Sequence, residues 1–145
     1  MSNQQVSETL TIKAPASKIF DLLCDPKKHL ELDGNGQLTG LIEAPERLFL
    51  GAKFSMNLKV GAKYHVTNTV IAFEENKSIA WKHMARHVWR YDLKDNGDGT
   101  CEVTETWDWA PSPLPIRLGM SALQFPSKNK HAMKCTLEKI ADLVE

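Results

Sequence analysis

Residues 6–26 read VSETLTIKAPASKIFDLLCDP, and this stretch decides the fold. Val6, Leu10 and Ile12 share one parity of an extended strand, while Ile19, Phe20, Leu22 and Leu23 gather on one side of a helix. Pro15 stands at the helix entrance, where its fixed φ costs nothing, and Pro26 stops the helix. A strand that runs straight into a short amphipathic helix predicts a sheet interrupted by small helices, each with one face to bury.

The rest of the chain extends that pattern. Residues 27–37, KKHLELDGNGQ, read as a frayed helical turn and a loop. Leu38–Ala44 is a short strand. Lys53–Val60 alternates, with Phe54, Met56 and Leu58 on one face, and Gly61-Ala62 turns the chain. Lys63–Glu74 is a longer strand whose apolar parity changes from Tyr64, Val66 and Val70 to Ile71 and Phe73, which predicts a bulge or bend near Thr69. Ser78–Met84 and Val88–Lys94 are strands, and the conformation of Ala85-Arg86-His87 between them is left open. Asp95-Asn96-Gly97-Asp98-Gly99 is the strongest hairpin signal in the chain, because these residues tolerate the positive φ of tight turns. It joins the strand at Trp89 to Thr100–Trp109, TCEVTETWDW, which Pro111 and Pro113 close. Leu114–Leu123 holds a short helix around Gly119. Pro126 breaks the chain, and Ser127 caps a helix whose Met133, Leu137, Ile140 and Val144 form a continuous stripe, with Thr136 and Ala141 beside it. Strands, small helices and one long terminal helix predict an α+β layer arrangement.

Composition narrows the function. The 145 residues, 42% hydrophobic, suit one domain spanning 1–145. Eighteen Lys and Arg balance eighteen Asp and Glu, so no electrostatic footprint for nucleic acid or an anionic membrane is present. The N-terminal segment lacks the pattern of a secretory signal, and no apolar run approaches the ~20 residues a membrane helix needs; a cytoplasmic location is expected. Cys24, Cys101 and Cys135 are too scattered for a disulfide framework or a zinc motif. Cys24 and Cys135 read as small core residues. His65, His83 and His87 fall on different strands or faces, so neither a metal nor a cofactor is expected.

With APASKIFDLLCDP, GAKFSMNLKVGAKYHVTNTVIAFEENKSIAWKH, WRYDLKDNGDGTCEVTETWDW and TLEKIADLVE in hand, the chain resembles the START-like helix-grip superfamily (SRPBCC), in its polyketide cyclase/dehydrase and lipid-transport branch. The likeness runs over nearly the full length. It implies a curved seven-stranded antiparallel sheet, with two short helices after strand 1, wrapped around the long C-terminal helix. It also implies an apolar cavity between sheet and helix for a small hydrophobic or aromatic molecule, lipid- or polyketide-like. Cyclase or dehydrase chemistry is one option within such a family, and plain carriage another. The competing function is a protein-interaction module of the co-chaperone or antitoxin type, without catalysis. A monomer or weak homodimer is expected.

If the alternation holds, the inward set is Phe54, Met56 and Leu58; Ile79, Trp81 and His83; Trp89 and Tyr91; and Val103, Glu105 and Trp107. A register error of one residue would invert it. Glu105, flanked by Val103 and Trp107, is the candidate catalytic group, since desolvation would raise its pKa. His83 is its candidate partner, although a His at a strand end equally suits a solvated edge. Tyr64, Asn68 and Tyr91 offer polar anchors in an apolar wall. The four tryptophans, Trp81, Trp89, Trp107 and Trp109, suit either core packing or stacking on an aromatic ligand. Asn129 and Met133 would roof the cavity, and Leu30, Leu32 and Gly34-Asn35-Gly36, opposite Leu114–Leu123, would form its entrance.

Overall fold

The computed structural model describes residues 4–33, 38–60 and 62–145. The described chain runs β1 (Gln5–Ile12), α1 (Ala16–Leu23), a 3-10 turn (Pro26–Lys28), α2 (His29–Leu32), β2 (Leu38–Glu43), β3 (Lys53–Val60), β4 (Ala62–Glu74), β5 (Ser78–His83), β6 (Val88–Asp95), β7 (Cys101–Asp108), α3 (Leu114–Ala122) and α4 (Phe125–Val144). All seven strands form one antiparallel sheet in the order β1-β7-β6-β5-β4-β3-β2. Only β1 breaks the hairpin succession, crossing to pair with β7.

The opening stretch does what its spacing predicts. Side chains along β1 alternate between exposed and partly buried until Ile12 is fully enclosed. Pro15 is the residue before α1, in extended conformation, and the helix buries Ala16, Ile19, Phe20 and Leu23. Phe20 meets Phe73 of β4 edge to face, with centroids 5.3 Å apart, and Arg47 covers both rings while bonding Asp21 at 3.0 Å and Glu75 at 2.8 Å. Asp25 caps the 3-10 turn by accepting from the Lys27 N–H at 3.0 Å.

The long helix α4 buries Ala132, Met133, Thr136, Leu137, Ile140, Ala141 and Val144. Each fully buried Leu or Ile stabilises by about 1.5–3 kcal/mol relative to exposure, so Leu137 and Ile140 are main anchors of the helix on the sheet. Lysines tie it at both ends: Lys130 Nζ donates to the Ser7 carbonyl of β1 at 2.9 Å, and Lys18 Nζ to the Val144 carbonyl at 3.0 Å.

The expected start of α4 and the burial of Cys135 are corrected, while the bend near Thr69 and the Asn-Gly hairpin are found. Helix α4 begins at Phe125, not after Ser127: Gln124 turns the chain with φ 61, and Pro126 sits in the first turn, where its missing N–H has no intrahelical partner to lose. The irregularity in β4 falls in its pairing with β5 between Val70 and Ala72, just beyond Thr69; it leaves Ile71 exposed while Phe73 packs inward. Cys135 is only half-buried, at the margin of the α4 stripe, whereas Cys24 and Cys101 are core residues. Ala85–His87 form a tight turn in which Arg86 takes φ 74 and the His83 N–H bonds the His87 carbonyl at 2.8 Å. The β6–β7 hairpin forms where Asn-Gly and Asp-Gly predict it, with Gly97 at φ 79 and Gly99 at φ 88. No described helix is long and apolar enough to cross a membrane.

Candidate functional site

The strand alternation puts a row of side chains on the face that α4 covers, and cross-strand register assembles them. Trp81 of β5 pairs with Trp89 of β6, Tyr91 of β6 with Glu105 of β7, and Asn68 of β4 with His83 of β5. Between this face and α4 lies a recess of about 160 Å³. Of the residues expected to line a site, Phe54, Met56, Leu58, Asn68, Trp81, His83, Trp89, Tyr91, Glu105 and Met133 border it.

Five others lie elsewhere. Ile79 is fully buried in the main core. Tyr64, although of the same parity as Val66, stands near the β3–β4 turn and is 43% exposed. Val103 is buried in the main core, and Trp107 in a second cluster with Trp109, Met120 and Met133; neither borders the recess. Asn129 is half-exposed a full turn before Met133. Leu32 reaches the recess, while Gly34-Asn35-Gly36 lies outside the described residues.

Glu105 is 3% exposed, so its inward register is fixed. One carboxyl oxygen accepts from the Tyr91 hydroxyl, while Oε1 is buried with no hydrogen-bond partner among the described residues. Burial pushes the Glu105 carboxyl up to about 8, the Tyr91 hydrogen bond opposing and the negative charge of Asp33 assisting. Burial and the adjacent carboxyl likewise hold Tyr91 well above the ordinary phenol range. The pair therefore carries its protons near neutral pH.

The histidines are neutral for geometric reasons. The Ala85 N–H donates to His83 Nδ1 at 2.9 Å, and Trp107 Nε1–H donates to His87 Nδ1 at 2.8 Å, so each neutral ring carries its hydrogen on Nε2. The two rings stack with centroids 4.1 Å apart. Burial pushes His83 down to about 4, and burial together with His83 pushes His87 down to about 3. Glu105 is hydrogen-bonded to Tyr91, and no His83–Glu105 bond occurs among the described residues.

Other lining groups were not legible from spacing. His29 belongs by sequence to a frayed turn, yet its Nε2–H donates to the Leu23 carbonyl at 2.8 Å and its ring stacks on Trp81 with centroids 5.0 Å apart. Burial lowers its pKa. Asp33 ends α2 and accepts from the Leu38 N–H at 2.8 Å. Thr136, Ala132, Leu23, Leu38 and Val66 complete the lining. Thr136 alone left a signal, as a hydroxyl on the apolar stripe of α4. Among the described residues no three His, Cys, Asp or Glu side chains gather as a metal set.

The model of the family described as polyketide cyclase / dehydrase and lipid transport matches residues 3–145. The chain belongs to this family. One relative of this polyketide cyclase / dehydrase and lipid transport family member is the uncharacterised protein Rv0088 of Mycobacterium tuberculosis, 33% identical over 142 residues that make up 95% of the chain and 63% of the relative. The chain thus spans under two thirds of the length of the curated relatives it matches. Among solved structures, the family member resembles protein Ms6760 of Mycobacterium smegmatis, with a TM-score of 0.72 and 15% identity, covering 97% of this chain and 90% of that one. It also resembles the di-domain ARO/CYC StfQ of the steffimycin biosynthetic pathway, with a TM-score of 0.70 and 15% identity, over 97% of this chain and 50% of that one. At such identities the two structures speak for the fold alone.

Proposed function

We propose that the chain binds a small hydrophobic or aromatic molecule in the recess between the sheet and α4, with Glu105 and Tyr91 as the polar anchor. The observation that carries this reading is the buried Oε1 of Glu105, a polar atom without a partner among the described residues, at the edge of a mostly apolar recess. A buried polar atom left unpaired costs about 1–3 kcal/mol, and a bound molecule would recover it. An apolar wall with a few placed polar groups is the usual make-up of a small-molecule site. A volume of about 160 Å³ suits one ring, comparable to the ~150 Å³ cavity that accepts benzene. Family membership supports ligand binding over a protein-interaction module.

Native mass spectrometry of the protein purified from its own cells tests the reading. The wild type should carry a small organic adduct, and Ala132→Phe, which places a ring in the recess, should lose it while the protein stays folded. Adduct-free wild type that also fails to bind single-ring probes refutes the proposal.

A further inference from the structure

We infer that the recess selects an organic cation, a protonated amine on a single ring, with its ammonium group on Glu105 and its apolar body among Phe54, Trp81 and Trp89. This deepens the ligand-binding reading and rests on it. The charge inventory is one-sided. Two carboxyl side chains, Asp33 and Glu105, line the recess, and among the described residues neither Lys nor Arg does. Residues 34–37, next to Asp33 in the chain, contain no basic side chain either. Lys139 donates to the Asp33 backbone carbonyl at 3.0 Å and is not part of the lining. No histidine supplies the missing charge: His83 Nδ1 and His87 Nδ1 each accept a hydrogen bond and stay unprotonated, and burial lowers the pKa of His29, whose Nε2–H donates to the Leu23 carbonyl.

The orphan Glu105 Oε1 cannot be satisfied by an apolar molecule, and an anion would meet two carboxyls. An ammonium group supplies both donors and charge. The rings beside it suit a cation as well: Trp81 stands 5.6 Å from Phe54, 5.6 Å from Tyr91 and 5.0 Å from His29, centroid to centroid, so an aromatic surface adjoins the acid and adds cation–π attraction.

Binding has a proton balance. Before binding, Glu105 is the carboxylic acid; the ammonium ion enters with its own proton, the carboxyl ionises to pair with it, and the carboxyl proton leaves to solvent. The groups that face Glu105 are Tyr91 from β6, His83 from β5, His29 and Asp33 from α2, and Glu8, its register partner on β1, which is paired with Lys130 of α4 at 3.1 Å. The lining residues of α4, Ala132, Met133 and Thr136, are uncharged.

Isothermal titration of the full chain at pH 7 with 2-phenylethylammonium, 2-phenylethanol, acetophenone and phenylacetate, in two buffers of different ionisation enthalpy, separates the possibilities. The ammonium ion should bind at least about tenfold tighter than the alcohol, phenylacetate should bind weakest, and the buffer pair should register proton release for the ammonium ion alone. Glu105→Gln should lose the ammonium preference, binding the ammonium ion no tighter than the alcohol. Alcohol or ketone binding as tightly as the ammonium ion, or a preference that survives Glu105→Gln, overturns the cation inference and leaves the ligand-binding reading standing. Failure of all four probes overturns both. Should Glu105→Gln not fold, the wild type decides: ammonium binding without proton release overturns the inference.

Discussion

Glu105 faces Tyr91 across the β6–β7 ladder and is buried there, and its acidity follows from that placement. Its carboxyl is raised from 4.5 to about 8 in the folded protein. Between those values the unfolded chain has given up a proton that the folded one retains, so stability is fully present below the lower value and is lost as pH rises through the upper one. A tenfold change in proton affinity corresponds to about 1.4 kcal/mol, which bounds the effect at a few kcal/mol. Urea unfolding of Glu105→Gln should therefore lack the decline that the wild type shows from about pH 7 to about pH 8.5; an unchanged decline would remove Glu105 as its source. The sequence put Glu105 on the right strand beside the right neighbours. It did not reveal Tyr91 as the hydrogen-bond partner in preference to His83, because that choice depends on registers between strands distant in the chain.

At the scale of elements, the strands were legible because alternation is a local property, and so was the hairpin at Asn96-Gly97. The start of α4 was not. Gln124 enters the left-handed region at φ 61, which a side chain with a Cβ adopts only at a cost, so the tight link between α3 and α4 is enforced by packing rather than by propensity. Gln124→Gly should relieve that strain and raise stability by about 1 kcal/mol, measured as a higher urea midpoint at unchanged slope; a lower midpoint would mean that the glutamine side chain contributes more than the strain costs. Tertiary context likewise explains α2: four residues have no helical stability of their own, yet His29 anchors to the Leu23 carbonyl and stacks on Trp81, so the turn becomes a wall of the recess.

For the whole molecule, the buried titratable groups act in opposition. His29, His83 and His87 are all held below their ordinary value of 6.5, so the unfolded state binds more protons as the solution is acidified, and stability is lost as pH falls through and below 6.5. Glu105 acts the other way as pH rises toward about 8. Three histidines outweigh one carboxyl on the acid side, and above about pH 6.5 Glu105 is left to dominate, which places maximum stability close to neutrality. A series of thermal melts from pH 5 to pH 9 should show that maximum; a Tm that climbs steadily to the alkaline end would contradict it.

Residues 6–26 and the spacing after them determined by themselves the container: strand, small helices, a run of hairpins and a terminal helix, because period-2 and period-3.6 burial are written into neighbouring residues. Only the tertiary structure decided the contents of the recess. It drew in His29, Asp33 and Thr136, kept Tyr64 and Asn129 outside, sent Val103 and Trp107 into the core, and left one oxygen of Glu105 without a partner among the described residues. Those outcomes depend on the register between strands distant in the chain and on where α4 crosses, quantities set by the packing of the whole core.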